Sequence, residues 1–147
     1  MFTFSLQTLL DYRKRIEEER QVELAGEKRM LDEERRKLDS ILLEEEKNLG
    51  ELNRVVDKAS PAPLVAALLS RGERLQRERT EQEQSVRQAA SRVEESRNRL
   101  AEAMKDKEML EKLKEKRMKA YQMDEARRAT RANDEAGRSA ARYRGKS

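Results

Sequence analysis

The side chains able to do chemistry in this chain are many but of few kinds. Its 147 residues hold 30 Asp and Glu and 34 Lys and Arg, with no His and no Cys. Zinc therefore lacks its usual nitrogen and sulfur ligands, and thiolate or disulfide chemistry is excluded. General acid–base catalysis by paired carboxylates needs a cavity that desolvates one of them and moves its pKa. Such a cavity needs a core, and aromatic residues are only 3% of the chain. No glycine-rich phosphate loop and no aspartate-rich calcium loop occurs. The sequence therefore points away from an enzyme, and no cofactor or metal is expected.

Charge itself is the remaining chemistry, and it is unevenly spread. Residues 112–147 hold 12 Lys and Arg against 5 Asp and Glu, a net +7. The rest holds 22 against 25, a net −3, so the overall +4 conceals a basic segment on a slightly acidic remainder. A basic projection is drawn to acidic surfaces, phosphate included. Yet Glu115, Asp124, Glu125, Asp134 and Glu135 interleave with the cations, and only Tyr121 and Tyr143 offer rings for stacking on bases. Nucleic acid is not the expected partner. Tyr121, which follows a basic cluster, admits two readings. It either caps the apolar seam against Phe2 or Phe4 or anchors a partner protein.

The elements that position these groups are helices. Ala, Glu, Lys, Leu and Arg make up 90 of the 147 residues, well above the half typical of coiled coils. Mixed charge signs, scarce proline and periodic leucines favour helix over disorder, which is expected only at the ends. Both prolines fall in Ser60-Pro61-Ala62-Pro63. Proline is tolerated only in a helix's first turn, so one helix stops before this stretch and another begins at Pro61 or Pro63, with Ser60 a possible cap. Before the break, Leu24, Leu31, Leu38 and Leu52 keep a period of seven with Glu45 in the missing place, and Leu42, Leu49 and Val56 form a second row of the same period. After it, Val86, Val93 and Leu100 keep that period, with Ala90 and Met104 as companions and Arg79, Gln82 and Arg97 interrupting. Two such rows make a coiled-coil seam. Gly26 and Gly50 read as tolerated glycines in a long helix.

An antiparallel register in which paired residue numbers sum to 124 sets Leu24 against Leu100, Leu31 against Val93 and Leu38 against Val86. It also sets Leu49 against Leu75, Val55 against Leu69, Val56 against Leu68 and Leu6 against Met118, and puts the fold point at residue 62. The expected fold is all-α: a long antiparallel two-helix coiled-coil hairpin with a projecting C-terminal helix. It forms a single domain over 1–147, with helix 1 at about 3–58, a bend at 59–63, helix 2 at about 64–136 and a frayed basic tail at 137–147. At ~1.5 Å per residue the hairpin spans about 80–90 Å. The longest uncharged run, Ala59 to Ser70, is too short for direct membrane insertion, and the Met1-Phe2-Thr3-Phe4 start does not read as a secretory signal. A cytoplasmic protein is expected.

The opening Phe2-x-Phe4-x-Leu6-Gln7-x-x-Leu10-x-x-Arg13 and the run Leu110-x-x-Leu113-Lys114-Glu115-Lys116, followed by Tyr121, Glu125 and Asp134-Glu135, resemble the FliJ family of flagellar export proteins. The resemblance spans the chain in length, bend position and both end motifs. It implies a non-enzymatic cytoplasmic component of the flagellar type III export apparatus, peripherally associated with the inner-membrane machinery. Members resemble the central stalk of rotary ATPases. The implied partners are the flagellar export ATPase hexamer, which the stalk helps assemble, the cytoplasmic part of the membrane export gate, and export chaperones. By the same resemblance, Phe2, Phe4, Leu6, Gln7, Leu10, Arg13, Leu110, Leu113, Lys114, Lys116, Tyr121, Glu125, Asp134 and Glu135 form an ATPase-facing tip. The competing readings are the equivalent stalk of an injectisome secretion system, a holdase chaperone gripping clients with Phe2 and Phe4 exposed, and a generic coiled-coil scaffold.

Overall fold

The computed structural model describes residues 1–145. Two helices, α1 (Gln7–Asp57) and α2 (Ala62–Gly145), pack against each other, and no strand occurs among the described residues. The fold is the expected helical hairpin. It divides into two compact units, one made of Met1–Glu17 with the chain from Glu102 onward, the other of Glu18–Ala101.

The bend is a helix C-cap built on the wrong residue type. The N–H of Ser60 donates to the carbonyl of Val55 and that of Ala59 to Val56, the paired bonds of a Schellman motif. The motif needs a left-handed residue, normally glycine, and here Ala59 takes it at φ 49°. Pro61 then supplies the first acceptor of α2, its carbonyl receiving the N–H groups of Leu64 and Val65. Pro63 lies in the first turn, where its missing N–H deprives no one. The connection is thus 58–61, two residues earlier at its end than the expected 59–63. α1 begins at Gln7 rather than residue 3, after a turn closed by Gln7 N–H on the Phe4 carbonyl. At the other end α2 continues through Gly137 to Gly145, past the expected limit at 136. Gly137 has no positive φ there, and an isolated glycine costs a helix only about 1 kcal/mol. Residues 146 and 147 of the expected frayed tail lie outside the described residues.

In the Glu18–Ala101 unit the buried seam differs from the expected one on both helices. The row Leu24, Leu31, Leu38, Glu45, Leu52 faces α2 as the periodicity predicts. Its companion is not Leu42, Leu49, Val56 but the row one residue earlier, Ile41, Asn48 and Val55, continued upstream by Glu34, Glu27 and Arg20. Leu49 and Val56 are both 58% exposed. On α2 the inward companions of Val86, Val93 and Leu100 are Leu68, Leu75, Gln82, Ala89 and Ser96, with the expected Ala90 half-buried beside them, while Met104 is exposed. Leu75 has no exposed surface and Leu68 is buried, whereas Leu49 and Val56, set against them in the expected register, lie at the edge of the seam. The cause is a choice of spacing: three- and four-residue steps both return to one helix face, and packing selected three where aliphatics suggested four.

The core of this unit is Leu31, Ala89 and Val93, with Leu24, Val86 and Ala90 packed around it. Small residues at 89 and 96 let the helices approach. Several polar side chains of the seam find partners across it. Glu45 pairs with Arg79 at 3.1 Å, and the Gln82 amide donates to the carbonyl and carboxylate of Glu34. Asn48, 5% exposed, donates Nδ2 to the Leu68 carbonyl at 3.1 Å, and a Cβ on Gly72 would stand 3.1 Å from that nitrogen. Gly72 is thus the residue that lets Asn48 reach, a role Gly26 and Gly50 lack, having open space around them. The Leu31–Val93 and Glu45–Arg79 pairs keep the sum of 124, while Glu34–Gln82 and Asn48–Leu68 run at 116. The midline lies between these edges, which moves the fold point from 62 to the Ala59–Ser60 cap.

Candidate partner-binding surface

The other unit carries the expected site residues, and it is built from the N-terminal segment outward. Leu10 is 1% exposed and anchors α1 on α2, with Leu6, Leu110 and Leu113 half-buried. Ala103, also buried, leaves room for this contact. Ahead of α1 the chain lies on α2 through its two phenylalanines. The Phe2 ring meets Tyr121 at 5.6 Å between centroids, tilted by 49°. The ammonium of Met1 donates to the Tyr121 hydroxyl at 3.0 Å. Phe4 is buried, with the Arg117 guanidinium 5.5 Å over its ring, and Arg117 Nη1 donates to Ser5 Oγ at 2.8 Å. Such cation–ring contacts are worth about 0.5–2 kcal/mol. Tyr121 makes the capping contact with Phe2 and, half-buried, keeps part of its surface open.

Two ion pairs tie the helices in this unit. Arg13 reaches Asp106 at 3.3 Å, and Lys107 pairs with Glu17. Glu17 is 8% exposed, so its carboxylate depends on that ammonium. The hydrogen bond to Glu17 holds the Lys107 pKa above its usual value, with the charges of Glu17, Glu111 and Glu108 adding to the effect against the cost of burial. Neither Glu17 nor Lys107 was among the expected site residues, although Glu17 sits where the leucine row requires an apolar residue. Arg117 went unnoticed too, since nothing in its spacing marks a lid on Phe4.

The fourteen expected site residues thus separate into three groups. Phe4, Leu6, Leu10, Leu110 and Leu113 hold the unit together, and Leu10 cannot touch a partner while this packing stands. Phe2, Gln7, Arg13, Lys114 and Tyr121 are half-buried at the junction of the N-terminal segment, α1 and α2. Lys116, Glu125, Asp134 and Glu135 are exposed. From Gln122 to Gly145 every residue of α2 is exposed, and Arg128 pairs within the helix with Asp124 at 3.1 Å and Glu125 at 3.5 Å. Among the described residues no cluster of carboxylates could hold a metal ion, and no helix is long and apolar enough to cross a membrane.

A family model described as flagellar FliJ protein matches residues 2–146. The chain belongs to the FliJ family. Among solved structures, a proposed YscO homolog from Chlamydia trachomatis is similar at a TM-score of 0.69 and 18% identity, covering 100% of this chain and 99% of that one. At that identity the likeness establishes a shared fold. No curated protein matches by sequence. Membership associates the chain with the flagellar type III export apparatus, and the FliJ hairpin described above is the framework on which its contacts must be placed.

Proposed function

We propose that this FliJ-family protein is a non-enzymatic, stalk-like partner of the flagellar export ATPase, acting in the cytoplasm at the inner-membrane export apparatus. The observation that carries the reading is the stretch Gln122–Gly145, helical yet exposed at every residue. A helix with no packed face is held by its own propensity alone, so the segment gains from a partner that covers it. The adjoining α2 surface is rich in free cations, Lys112 and Lys116 among them, and suits an acidic ring. In this reading Phe2, Tyr121, Lys116, Glu125, Asp134 and Glu135 line the ATPase contact, and Leu6, Leu10, Leu110 and Leu113 fix its shape. Assembly of the hexamer, coupling to the membrane export gate and handling of emptied export chaperones are the roles such a stalk would serve.

The test is ATP hydrolysis by the same organism's export ATPase, with the full chain and with a chain ending at Tyr121. Stimulation by the first and not the second supports the stalk reading and makes the helix beyond Tyr121 indispensable to the contact. Equal stimulation moves the contact elsewhere, and none by either removes the ATPase from the partners. The fold shared with a proposed YscO homolog favours one second reading, the stalk of an injectisome. Loss of motility on deletion, with protein secretion by any injectisome intact, separates the two.

A further inference from the structure

The residues beside the seam of the Glu18–Ala101 unit change character along α1. One step outside the buried row, the sequence runs Lys28, Arg35, then Leu42, Leu49, Val56. Flanking positions of a coiled coil are ordinarily charged, as the first two are. The last three are aliphatic, and all three are exposed, at 43%, 58% and 58%. Opposite them on α2 stands Leu69, 51% exposed. Between Leu42 and Leu49 on one side and Leu69 on the other runs an open groove that Leu52, Leu68 and Asn48 also line. A hairpin needing only its own seam would gain nothing from this strip of exposed aliphatics.

The charged groups of the groove are all carboxylates, beside the amides of Asn48 and Gln76. Asn48 spends its Nδ2 on the Leu68 carbonyl, and its Oδ1 is buried without a donor. Glu46 and Glu73 stand on the rims with no cation paired to either among the described residues, while Glu45 is already held by Arg79. The groove lining contains no Lys or Arg. It therefore offers apolar surface, carboxylates and a buried acceptor in want of a hydrogen-bond donor.

We propose that this groove is the docking site of an amphipathic, basic helix from a partner protein, which completes a local three-helix bundle. The occupant carries aliphatic residues at i, i+3 or i+4, and i+7, which lie along Leu42, Leu49 and Leu69. Lys or Arg on its flanks meets Glu46 and Glu73, and a donor side chain at its centre satisfies Asn48 Oδ1. A second copy of this chain fits worse, because like grooves placed face to face would oppose two pairs of acidic rims. The site shares no residue with the ATPase-facing surface and does not depend on that reading.

The experiment uses the full chain and two labelled peptides of about three heptads with the same leucine spacing, one flanked by lysines and one by glutamates. Fluorescence anisotropy should show saturable binding of the lysine peptide, weakened by salt. Leu49→Asp should weaken it by about tenfold or more with helicity unchanged, since Leu49 is more than half exposed in the free protein. The double variant Glu46→Lys, Glu73→Lys should transfer the preference to the glutamate peptide. Equal binding of both peptides, binding indifferent to Leu49→Asp, or no binding of the lysine peptide overturns the proposal. So does a dimer in sedimentation that Leu49→Asp dissolves, which would make a second copy the occupant.

Discussion

Ala59 is the residue under greatest backbone strain in the chain, the one non-glycine with positive φ among the described residues. Its Cβ opposes the left-handed conformation at a cost of about 1–2 kcal/mol, which the two capping bonds at the end of α1 offset. Ala59→Gly should therefore raise stability by about 1 kcal/mol, seen as a higher thermal midpoint with unchanged helicity. A lower midpoint would mean that the alanine makes a contact worth more than the strain. Lys107 gives the second prediction at this scale. Its folded pKa is raised, so its contribution is fully present below the unfolded value of about 10.4 and is lost as pH rises through the folded value. The stability gap between the wild type and Lys107→Met should hold steady from neutral pH to about 10 and narrow above it. A gap already closing near neutral pH would deny the Glu17 bond its part.

At the scale of the helices, burial rather than residue type decides what a leucine is worth. Leu75→Ala should cost about 2–5 kcal/mol in denaturant unfolding, as large-to-small changes in a packed seam do. Leu49→Ala should fall within about 0.5 kcal/mol, as exposed positions do. Comparable losses at both sites would restore Leu49 to the seam. The same contrast marks how far the sequence could be read. The proline-marked bend, the antiparallel pairing of Leu31 with Val93 and the row through Leu24, Leu38 and Leu52 were legible, because they are repeated by several residues each. The companion rows were not. Leu42, Leu49 and Val56 have the more apolar pattern, yet Ile41, Asn48 and Val55 turn inward, because a seam also needs room and polar matches that Gly72, Gln82 and Ala89 supply from the other helix. A single-helix pattern carries no record of its neighbour. The N-terminal contact was half legible: Tyr121 against Phe2 could be named, whereas the Arg117 guanidinium over Phe4 depends on a long side chain's path.

For the molecule as a whole, what matters is which parts of α2 have a neighbour and which do not. Up to Tyr121 one side of α2 is covered by α1 or the N-terminal segment, and from Gln122 to Gly145 every residue is exposed. A helix so placed keeps its backbone bonds by its own propensity, and they open one turn at a time instead of with the rest of the fold. In heavy water the amides of Gln122 to Gly145 should exchange many times faster than those around Leu10 and Leu75, within one unbroken stretch of secondary structure. Exchange across the whole of α2 at a single slow rate would contradict this. The boundary then becomes a clock for complex formation. Under the stalk reading proposed above, adding the export ATPase should spread protection from Tyr121 toward Gly145, and the position it reaches measures how much of the helix that partner holds.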